Sequence, residues 1–387
     1  MLILGIETSC DETSLALVEA EGGLTKPRFR VLKNLVSSQI KVHEPFGGVV
    51  PNLAKREHLK NLPILYRKIF GELGIGNWEL GKKSDSILNS KFNILDVDLI
   101  AVTVGPGLEP ALWTGITFAE DLQEKLKIQN PNIKLIGANH LEGHLYSFLL
   151  SKKKNASHFS LPTSKLFPAI SLIVSGGHTI LLHVKNLKAW KKLGETRDDA
   201  VGEAFDKVAR LLKLPYPGGP QIEKLSKEGN AKAVEFPRPM LHQKNYDFSF
   251  SGLKTSVLYF LKEQKVKGIE NSALGIGNES DSIRNSQFTI QDVSAGFQAA
   301  AIEVLVKKTI RAAQEFGAKS VMLSGGVAAN KTLRKALEKE AKKIGAKFFA
   351  PEPEYNTDNA AMIAVAGYMA HLRKKKFKLA AKGSLNI

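Results

Sequence analysis

Cysteine and long apolar runs are almost absent from this sequence. The single cysteine, Cys10, excludes an internal disulfide and fits a reducing compartment. No apolar run approaches the length of a membrane span, so we expect no membrane partner. The chain opens directly into the apolar stretch Leu2 to Ile6, and we therefore expect neither a signal peptide nor a transit peptide. A cytoplasmic enzyme is the resulting expectation.

Acidic residues are also few relative to basic ones. The 55 Lys and Arg residues oppose 38 Asp and Glu residues, which leaves a formal net charge of +17. The basic excess is clustered in the stretches Lys152 to Lys154, Lys185 to Lys192, Lys331 to Lys347 and Arg373 to Lys378. Aromatic residues make up only 7% of the chain, so these clusters favour contact with a phosphate backbone over base stacking. A lysine-rich solubilising surface is the alternative interpretation.

The apolar pattern is repeated in the two halves of the chain. With 387 residues, 43% of them hydrophobic, the chain is long enough for two domains. Each half contains a strand, a polar turn and a second strand, and later a strand, a glycine-rich turn and a helix. These patterns lie at residues 3–18 and 98–127 in the first half, and at residues 169–184 and 320–344 in the second. The shared order predicts a duplicated α/β lobe.

Glycine-rich turns follow the predicted strands in both halves. They include Gly105-Pro106-Gly107, Ser175-Gly176-Gly177 and Gly325-Gly326. Such turns expose backbone N–H groups, which suit phosphate. Each glycine pair alone is equally well explained by a tight turn, but their symmetric order predicts a nucleotide-like ligand in a cleft between the lobes.

One polar segment occurs twice in the sequence. The stretch from Gly74 to Phe92 recurs, with substitutions, as Gly275 to Phe288. We interpret the two copies, within residues 76–93 and 266–290, as inserted exposed loops that take no part in the chemistry. Deletion of residues 77–91 and 278–287 is therefore expected to leave activity intact.

Two histidines in the middle of the chain have the spacing of metal ligands. His140 and His144 lie four residues apart, so one face of a helix presents both to a single ion. Glu142 points elsewhere, unlike the glutamate of zinc proteases. Asp358, far along the chain, has the residue type of a helix cap and also that of an oxygen ligand. Histidine pairs at this spacing also occur without a metal, so the pair alone leaves both interpretations open.

Further motifs connect the chain to one family. They extend from residue 2 to about residue 372, apart from the two inserts. The matching segments are residues 5–13 (GIETSCDET), 47–51 (GGVVP), 105–108 (GPGL), 140–144 (HLEGH), 174–179 (VSGGHT), 198–207 (DDAVGEAFDK), 216–220 (YPGGP), 248–255 (FSFSGLKT), 325–330 (GGVAAN) and 357–359 (TDN). The chain resembles the tRNA threonylcarbamoyladenosine transferases of the bacterial TsaD type.

The resemblance implies both a fold and a reaction. The fold is an actin-like, sugar-kinase-like α/β fold of two ribonuclease-H-like lobes. We place lobe I at residues 1–138 plus 358–387, and lobe II at residues 139–357. The reaction moves threonylcarbamoyl from threonylcarbamoyl-adenylate to the exocyclic amine of adenosine 37, in tRNAs that read codons beginning with A, and it releases AMP.

The resemblance also implies the roles of individual residues. His140, His144 and Asp358 resemble the ligands of one divalent metal ion, iron or zinc. The residues that resemble the adenylate-binding set are Ile173, Val174, Ser175, Gly176, Gly177, Asp206, Gly219 and Asn330. Asp11 and Glu12 fall at positions expected near the reacting carbonyl, where Asp11 has the chemistry to accept a proton from the attacking amine.

Relatives of this type work with a TsaB-type subunit and a TsaE-type ATPase, so the resemblance implies these partners beside tRNA. The chain departs from the family pattern at a few positions. Acidic or bulky residues replace small or basic ones at Glu109, Pro110, Trp113, Glu120 and Asp121. The tail from Lys374 onward is also unlike the usual bacterial ending.

Other classes of protein share some of these features. A metalloprotease has a histidine pair, but it needs a glutamate beside the histidines as a general base. An actin-like ATPase or sugar kinase has glycine turns, but it holds magnesium mainly through carboxylates. A non-catalytic scaffold that binds nucleotide and partner subunits is the third alternative, and metal analysis with single-turnover transfer separates it from an enzyme.

Overall fold

The computed structural model describes residues 1–71, 93–150, 163–264, 266–267 and 288–387, and the chain divides into two compact units. Unit 1 comprises Met1–Pro162 and Thr357–Ile387, and unit 2 comprises Thr163–Asn356. Within the described ranges, no helix is both long enough and apolar enough to cross a membrane.

Strands and helices alternate along both units. The strands are β1 (Leu2–Glu7), β2 (Glu12–Glu21), β3 (Arg28–Ser38), β4 (Leu99–Gly105), β5 (Lys134–Asn139), β6 (Ala169–Val174), β7 (Thr179–Asn186), β8 (Ala189–Glu195), β9 (Val266–Lys267), β10 (Phe288–Thr289), β11 (Ser320–Ser324) and β12 (Lys347–Phe349). The helices are α1 (Ile40–His43), α2 (Pro51–Phe70), α3 (Glu109–Lys127), α4 (His140–Tyr146), α5 (Val201–Leu211), α6 (Gly218–Ser226), α7 (Ser251–Glu263), α8 (Ile290–Glu315), α9 (Lys331–Lys343) and α10 (Ala360–Leu372).

Unit 1 is built on a five-stranded sheet with the order β3-β2-β1-β4-β5. Strands β1, β2 and β3 are antiparallel neighbours, whereas β4 and β5 run parallel to β1. The interior strand β4 is mostly apolar and is buried along its whole length, as expected for a parallel strand that is covered on both faces. The edge strand β3 contains mainly half-buried and exposed residues.

Unit 2 repeats this arrangement. Its five-stranded sheet has the order β12-β11-β6-β7-β8, which is the order of unit 1 written from the other end. Again the first three strands are antiparallel and the last two run parallel to the first. This repetition confirms the predicted duplicated α/β lobe.

Helix α10 closes unit 1 although it comes from the far end of the chain. It packs against β1, β2, β4 and β5, and α4 packs against it. A Cβ atom on Gly5 would lie 2.1 Å from the carbonyl oxygen of Ala360, so only glycine admits the helix this close to the sheet. Nearly all of α10 is buried, as its small apolar residues predict.

The division into units differs from the expected lobe boundary after residue 138. Because α4 packs on α10 and follows β5 directly, it belongs with unit 1, and the boundary falls after Pro162 instead. Most of the two expected inserts, residues 76–92 and 268–287, lies outside the described residues. The described end of the second insert is regular structure, because Thr289 caps α8 with its side chain.

Parallel strands bring their carboxyl ends to one edge of a sheet. In unit 1 this edge is formed by the ends of β1, β4 and β5, at Glu7, Gly105 and Asn139. In unit 2 the paired strands β6 and β11 end together at Val174 and Ser324. Within each unit, the residues that directly follow these strands therefore lie close to one another, and these residues include most of the predicted site.

Candidate functional site

The two histidines lie on α4, directly after β5. Asn139 caps this helix, since its side-chain oxygen accepts hydrogen bonds from the backbone N–H groups of Leu141 (2.8 Å) and Glu142 (3.3 Å). The rings of His140 and His144 are nearly perpendicular, with centroids 4.7 Å apart. Every residue of α4 is buried, which fixes both rings in place.

Asp358 joins the histidine pair from the turn before α10. Its Oδ1 atom lies 3.1 Å from Nε2 of His144 and 3.4 Å from Nε2 of His140. The cap of α10 is the neighbouring residue, Asn359, whose side chain accepts a hydrogen bond from the N–H of Met362. The predicted set of three candidate ligands therefore converges in unit 1, with its donor atoms within 4.8 Å of one another.

The electrostatics of this cluster suit a cation. Burial alone would lower the pKa of His140, but the carboxylates of Asp358 and Glu7 outweigh it and raise the pKa to about 9. Burial lowers the pKa of His144. Among the described residues, the buried Nδ1 atom of His144 has no hydrogen-bond partner. Two imidazoles and a carboxylate whose lone pairs meet at one point are the donor set of a transition-metal site.

Glu142 has a different task. Its completely buried carboxylate pairs with Arg373 and with Lys375, whose Nζ lies 2.8 Å away. A glutamate held in this way does not face the histidines as a general base, so the geometry speaks against a metalloprotease.

Glu7, which the sequence pattern places only in a polar turn, contacts the cluster directly. Its Oε2 atom lies 3.0 Å from Nδ1 of His140 and accepts a hydrogen bond from Oγ1 of Thr103 (2.8 Å). Its Oε1 atom accepts from the backbone N–H of Ser9 (2.5 Å). The sequence carried one signal for this contact, which was a carboxylate at the end of an apolar strand. Because β1 and β5 both run parallel to β4, they end at the same edge of the sheet, and this places Glu7 beside His140.

Asp11 lies in the turn between β1 and β2, and Glu12 is the first residue of β2. Burial and the neighbouring carboxylates of Asp11 and Asp358 raise the pKa of Glu12 well above its usual range. The backbone carbonyl of Asp11 accepts a hydrogen bond from the N–H of Gln39 (2.9 Å). The structure thus brings Glu12 into electrostatic range of both Asp11 and Asp358.

The predicted adenylate set lies in unit 2, at the ends of β6 and β11. Ile173 and Val174 are fully buried in β6, so they support the turn that follows them and their side chains do not face a ligand. Around Gly176 and Gly177 there is room, because a Cβ atom on either would meet open space. The turn is closed by the N–H of Ser175, which donates to the carbonyl of His178 (2.8 Å).

The remaining members of this set lie on neighbouring elements. Asp206 on α5 accepts a hydrogen bond from the N–H of Gly218 (2.7 Å), beside the open position of Gly219. Asn330 caps α9 through the N–H of Leu333 (2.9 Å) and donates to Oε1 of Gln298 (2.8 Å). The set therefore combines exposed backbone N–H groups, one carboxylate and one amide, which are the groups that bind a nucleotide phosphate and its sugar.

A family model described as "TsaD: tRNA N6-adenosine threonylcarbamoyltransferase" matches residues 30–365. The chain belongs to this family. A relative from Thermosipho melanesiensis with the same description is 44% identical over 100% of both chains. One from Clostridioides difficile is 40% identical over 100% of this chain and 98% of its own. One from Moorella thermoacetica is 43% identical over 96% of this chain and 92% of its own. The chain is thus a transferase that modifies tRNA by threonylcarbamoyl transfer.

Solved structures of more distant proteins match this threonylcarbamoyltransferase family member in fold. HypF from T. kodakarensis is similar over 97% of this chain and 48% of its own, with a TM-score of 0.54 and 14% identity. A full-length HypF in a phosphate- and nucleotide-bound form is similar over 98% and 47%, with a TM-score of 0.53 and 13% identity. This chain spans about half the length of both. The likeness supports the predicted actin-like, sugar-kinase-like class of fold.

In this member of the family, the segment after α10 folds back over unit 1 as a strap of residues 373–387. The N–H of Lys382 donates to the carbonyl of Val104 (2.9 Å), and the N–H of Gly383 donates to Oε1 of Glu109 (3.2 Å). The side chain of Asn139 donates to the carbonyl of Asn386 (2.9 Å). Glu109 and the tail both depart from the family pattern, and they contact each other through the hydrogen bond between Gly383 and Glu109. The strap also reaches Asn139, the residue that caps α4.

Proposed function

We propose that this chain transfers the threonylcarbamoyl group of threonylcarbamoyl-adenylate to the exocyclic amine of adenosine 37 in tRNAs that read codons beginning with A. AMP is the leaving group. The observation that carries the proposal is the family match over residues 30–365, combined with the convergence of His140, His144 and Asp358 in unit 1.

The three convergent side chains hold one divalent ion, iron or zinc. When bound, such an ion acts as a Lewis acid and as a template for the oxygens of the substrate. His140 and His144 contribute Nε2, and Asp358 contributes Oδ1. Two histidines and one carboxylate leave coordination positions open, as substrate binding requires.

The adenylate set of unit 2 holds the leaving group. The mixed anhydride is already activated, so the protein has mainly to position it and to stabilise charge on the departing phosphate. Backbone N–H groups of Gly176 and Gly177 take phosphate oxygens as partners, because no side chain occupies the space beside the two glycines. Asp206, Gly219 and Asn330 complete the recognition of the adenylate.

Asp11 accepts the proton that the attacking amine loses as its nitrogen bonds to the carbonyl carbon. Glu12 lies beside it, and the raised pKa of Glu12 favours the protonated acid, which donates a hydrogen bond instead of repelling the substrate. A carboxylate next to a carboxylic acid supplies a base and a donor within one turn.

We place the reaction in the cytoplasm, as the resemblance to the bacterial enzymes implies. A TsaB-type subunit and a TsaE-type ATPase act with the chain, as the family resemblance implies, and the test therefore includes both. The net charge of +17 favours binding of the polyanionic tRNA.

The deciding experiment incubates the chain and both partners with threonylcarbamoyl-adenylate and an unmodified tRNA, and then analyses the nucleosides by mass spectrometry. We expect threonylcarbamoyladenosine at position 37. A tRNA with guanosine at that position is the matched control and stays unmodified. His140→Ala is expected to lose metal and transfer together. No product from a demonstrably complete set of partners would overturn the proposal.

A further inference from the structure

Glu7 is completely buried at the end of β1, and its carboxylate faces three donors. The backbone N–H of Ser9 donates to one oxygen, and the hydroxyl of Thr103 donates to the other. Nδ1 of His140 lies 3.0 Å from that second oxygen. A buried carboxylate is costly unless its oxygens are satisfied, and here the third partner is a candidate metal ligand.

The chemistry of a carboxylate decides which nitrogen of His140 carries the proton. A carboxylate accepts hydrogen bonds and does not donate them, so Glu7 holds a proton on Nδ1 of His140. Nε2 faces a second carboxylate, Oδ1 of Asp358 at 3.4 Å, and an ion bound between them takes the place of the proton that Asp358 would otherwise hold on Nε2. Only this tautomer offers a lone pair where the three candidate ligands converge.

We propose that Glu7 is a positioning residue of the metal centre, which selects the Nδ1–H tautomer of His140 and holds its ring toward the ion. The inference rests on the metal of the proposed function. Oγ of Ser9, 3.2 Å from the same Nδ1 atom, is a second and uncharged partner. A carboxylate behind a ligating histidine also makes the ring a stronger donor.

The two histidines differ in this respect. Nδ1 of His144 is buried and has no hydrogen-bond partner among the described residues, so packing and the contact of Nε2 with Asp358 (3.1 Å) orient that ring. Of the two histidines, only His140 therefore has a carboxylate as the partner of its Nδ1 atom. This asymmetry gives a sharp test, because a change at Glu7 alters the hydrogen-bond partner of one ligand only.

Glu7→Gln is the informative variant. The amide has the same size, but one of its two ends is an NH₂ group. The N–H of Ser9 cannot turn away, so the amide oxygen stays with Ser9 and the NH₂ group faces His140. An NH₂ group donates to Nδ1, which moves the ring proton to Nε2 and blocks the lone pair that binds the metal.

Glu142→Gln is the matched control. Glu142 is equally buried in the same unit and lies on the same helix as the histidines, but its partners are Arg373 and Lys375. This variant removes the same charge without touching a histidine nitrogen. It is expected to lower the stability of unit 1 and to keep its affinity for Zn²⁺.

The experiment measures Zn²⁺ affinity of the full chain by competition with a chromophoric chelator. Loss of a carboxylate partner typically weakens metal binding by about 10- to 100-fold, and we expect this for Glu7→Gln only. Equal affinities of wild type and Glu7→Gln, or an equal loss in Glu142→Gln, would overturn the inference. A wild-type chain that binds no Zn²⁺ would instead refute the metal of the proposed function, and the inference with it.

A second measurement does not depend on the folding of any variant. Two-dimensional ¹⁵N NMR of the histidine-labelled wild type with Zn²⁺ distinguishes the two tautomers of each ring. We expect His140 to carry its proton on Nδ1. A proton on Nε2 of His140 in the wild type contradicts the role of Glu7, whatever the affinities are.

Discussion

Asp358 and Asn359 show how two adjacent residues divide two tasks. Both residue types cap helices well, so the sequence alone leaves the cap of α10 undecided. The structure assigns the cap to Asn359, and it also places the N–H of Ala360 on Oγ of Ser14 (2.9 Å). With the start of α10 held by other groups, the carboxylate of Asp358 is directed at the histidines.

Asp11 is the residue at which chemistry and binding can be separated. Asp11→Asn keeps the size of the side chain but removes the proton acceptor, so we expect transfer to slow by about 100-fold or more. Adenylate binding should be unchanged, because the proposed adenylate set lies in unit 2. Single-turnover transfer and equilibrium binding of a non-hydrolysable adenylate analogue measure the two effects.

The exposed Glu21→Gln, at the far end of β2, is the control for the loss of one negative charge from this part of unit 1. It is expected to behave as wild type in both assays. Full activity of Asp11→Asn would contradict the role of Asp11 as a base.

At the scale of elements, the strap holds α4 through one buried ion pair. Arg373 is 9% exposed and Glu142 is completely buried, so removal of the guanidinium leaves a buried carboxylate with a single exposed partner, Lys375. We expect Arg373→Met to lower the free energy of unfolding of unit 1 by about 2 kcal/mol, short of the roughly 3–5 kcal/mol typical of an unpaired buried charge.

Lys376→Met, an exposed neighbour in the same strap, is the control and is expected to change stability by less than about 0.5 kcal/mol. Urea denaturation of the wild type and both variants provides the comparison. If both variants were destabilised equally, the buried pair would not be what holds α4.

Helix α8 contains a buried lysine whose protonation depends on folding. Burial, aided by the charge of Arg311, lowers the pKa of Lys308 from 10.5 to about 8. Its Nζ donates to the carbonyl of Asp247 (2.5 Å). Between pH 8 and 10.5 the unfolded chain therefore binds more protons at this residue than the folded chain does. In this window the contribution of Lys308 to stability rises with pH.

Lys308→Met removes this pH dependence of stability, because it removes one titrating group and leaves the others in place. We expect the free energy of unfolding of the wild type to gain more between about pH 8 and pH 10 than that of the variant, by an amount on the order of 1–3 kcal/mol. Urea denaturation at both pH values gives the gain in the free energy of unfolding for each protein, and the difference between the two gains is the contribution of Lys308. A gain that is equal in both proteins would contradict the lowered pKa.

At the scale of the whole molecule, the positive charge predicts how tRNA binds. Affinity for a polyanion falls as salt rises, because cationic side chains release counterions from the phosphates. Helix α9 begins directly after Asn330, a residue of the proposed adenylate set, and its exposed face contains Lys335, Lys339 and Lys342. We expect these lysines to contact phosphates of the tRNA.

The triple change of these lysines to Gln is expected to reduce the slope of log affinity against log salt by about one for each phosphate that is no longer neutralised. The same change at Lys185, Lys188 and Lys191 is the control, because these exposed residues lie at the opposite end of β7 from the Ser175 turn. Filter binding over a salt series measures both. Equal slopes for the two triple variants would exclude α9 as the tRNA-binding helix.

The parts of the fold that were predictable are those that short stretches determine. The glycine turns, the repeated strand order and the histidine pair follow from local patterns, and the structure confirms the duplicated lobe. The role of Glu7 was not predictable in this way, because it depends on β1 and β5 each pairing with β4. The compact units also divide at a different place from the expected lobe boundary, since α4 packs on α10, more than 200 residues later in the chain.

Unit 1 is discontinuous in the chain, and this has a consequence for its biosynthesis. A nascent chain that has reached residue 356 contains all strands of the unit 1 sheet and both histidines, but it lacks Asp358 and the helix that covers the sheet. Unit 2 is complete at that moment. The ribosome therefore delivers the third candidate metal ligand and the closing helix of the first unit after the second unit is finished, and the candidate metal site is among the last parts of the molecule that can assemble.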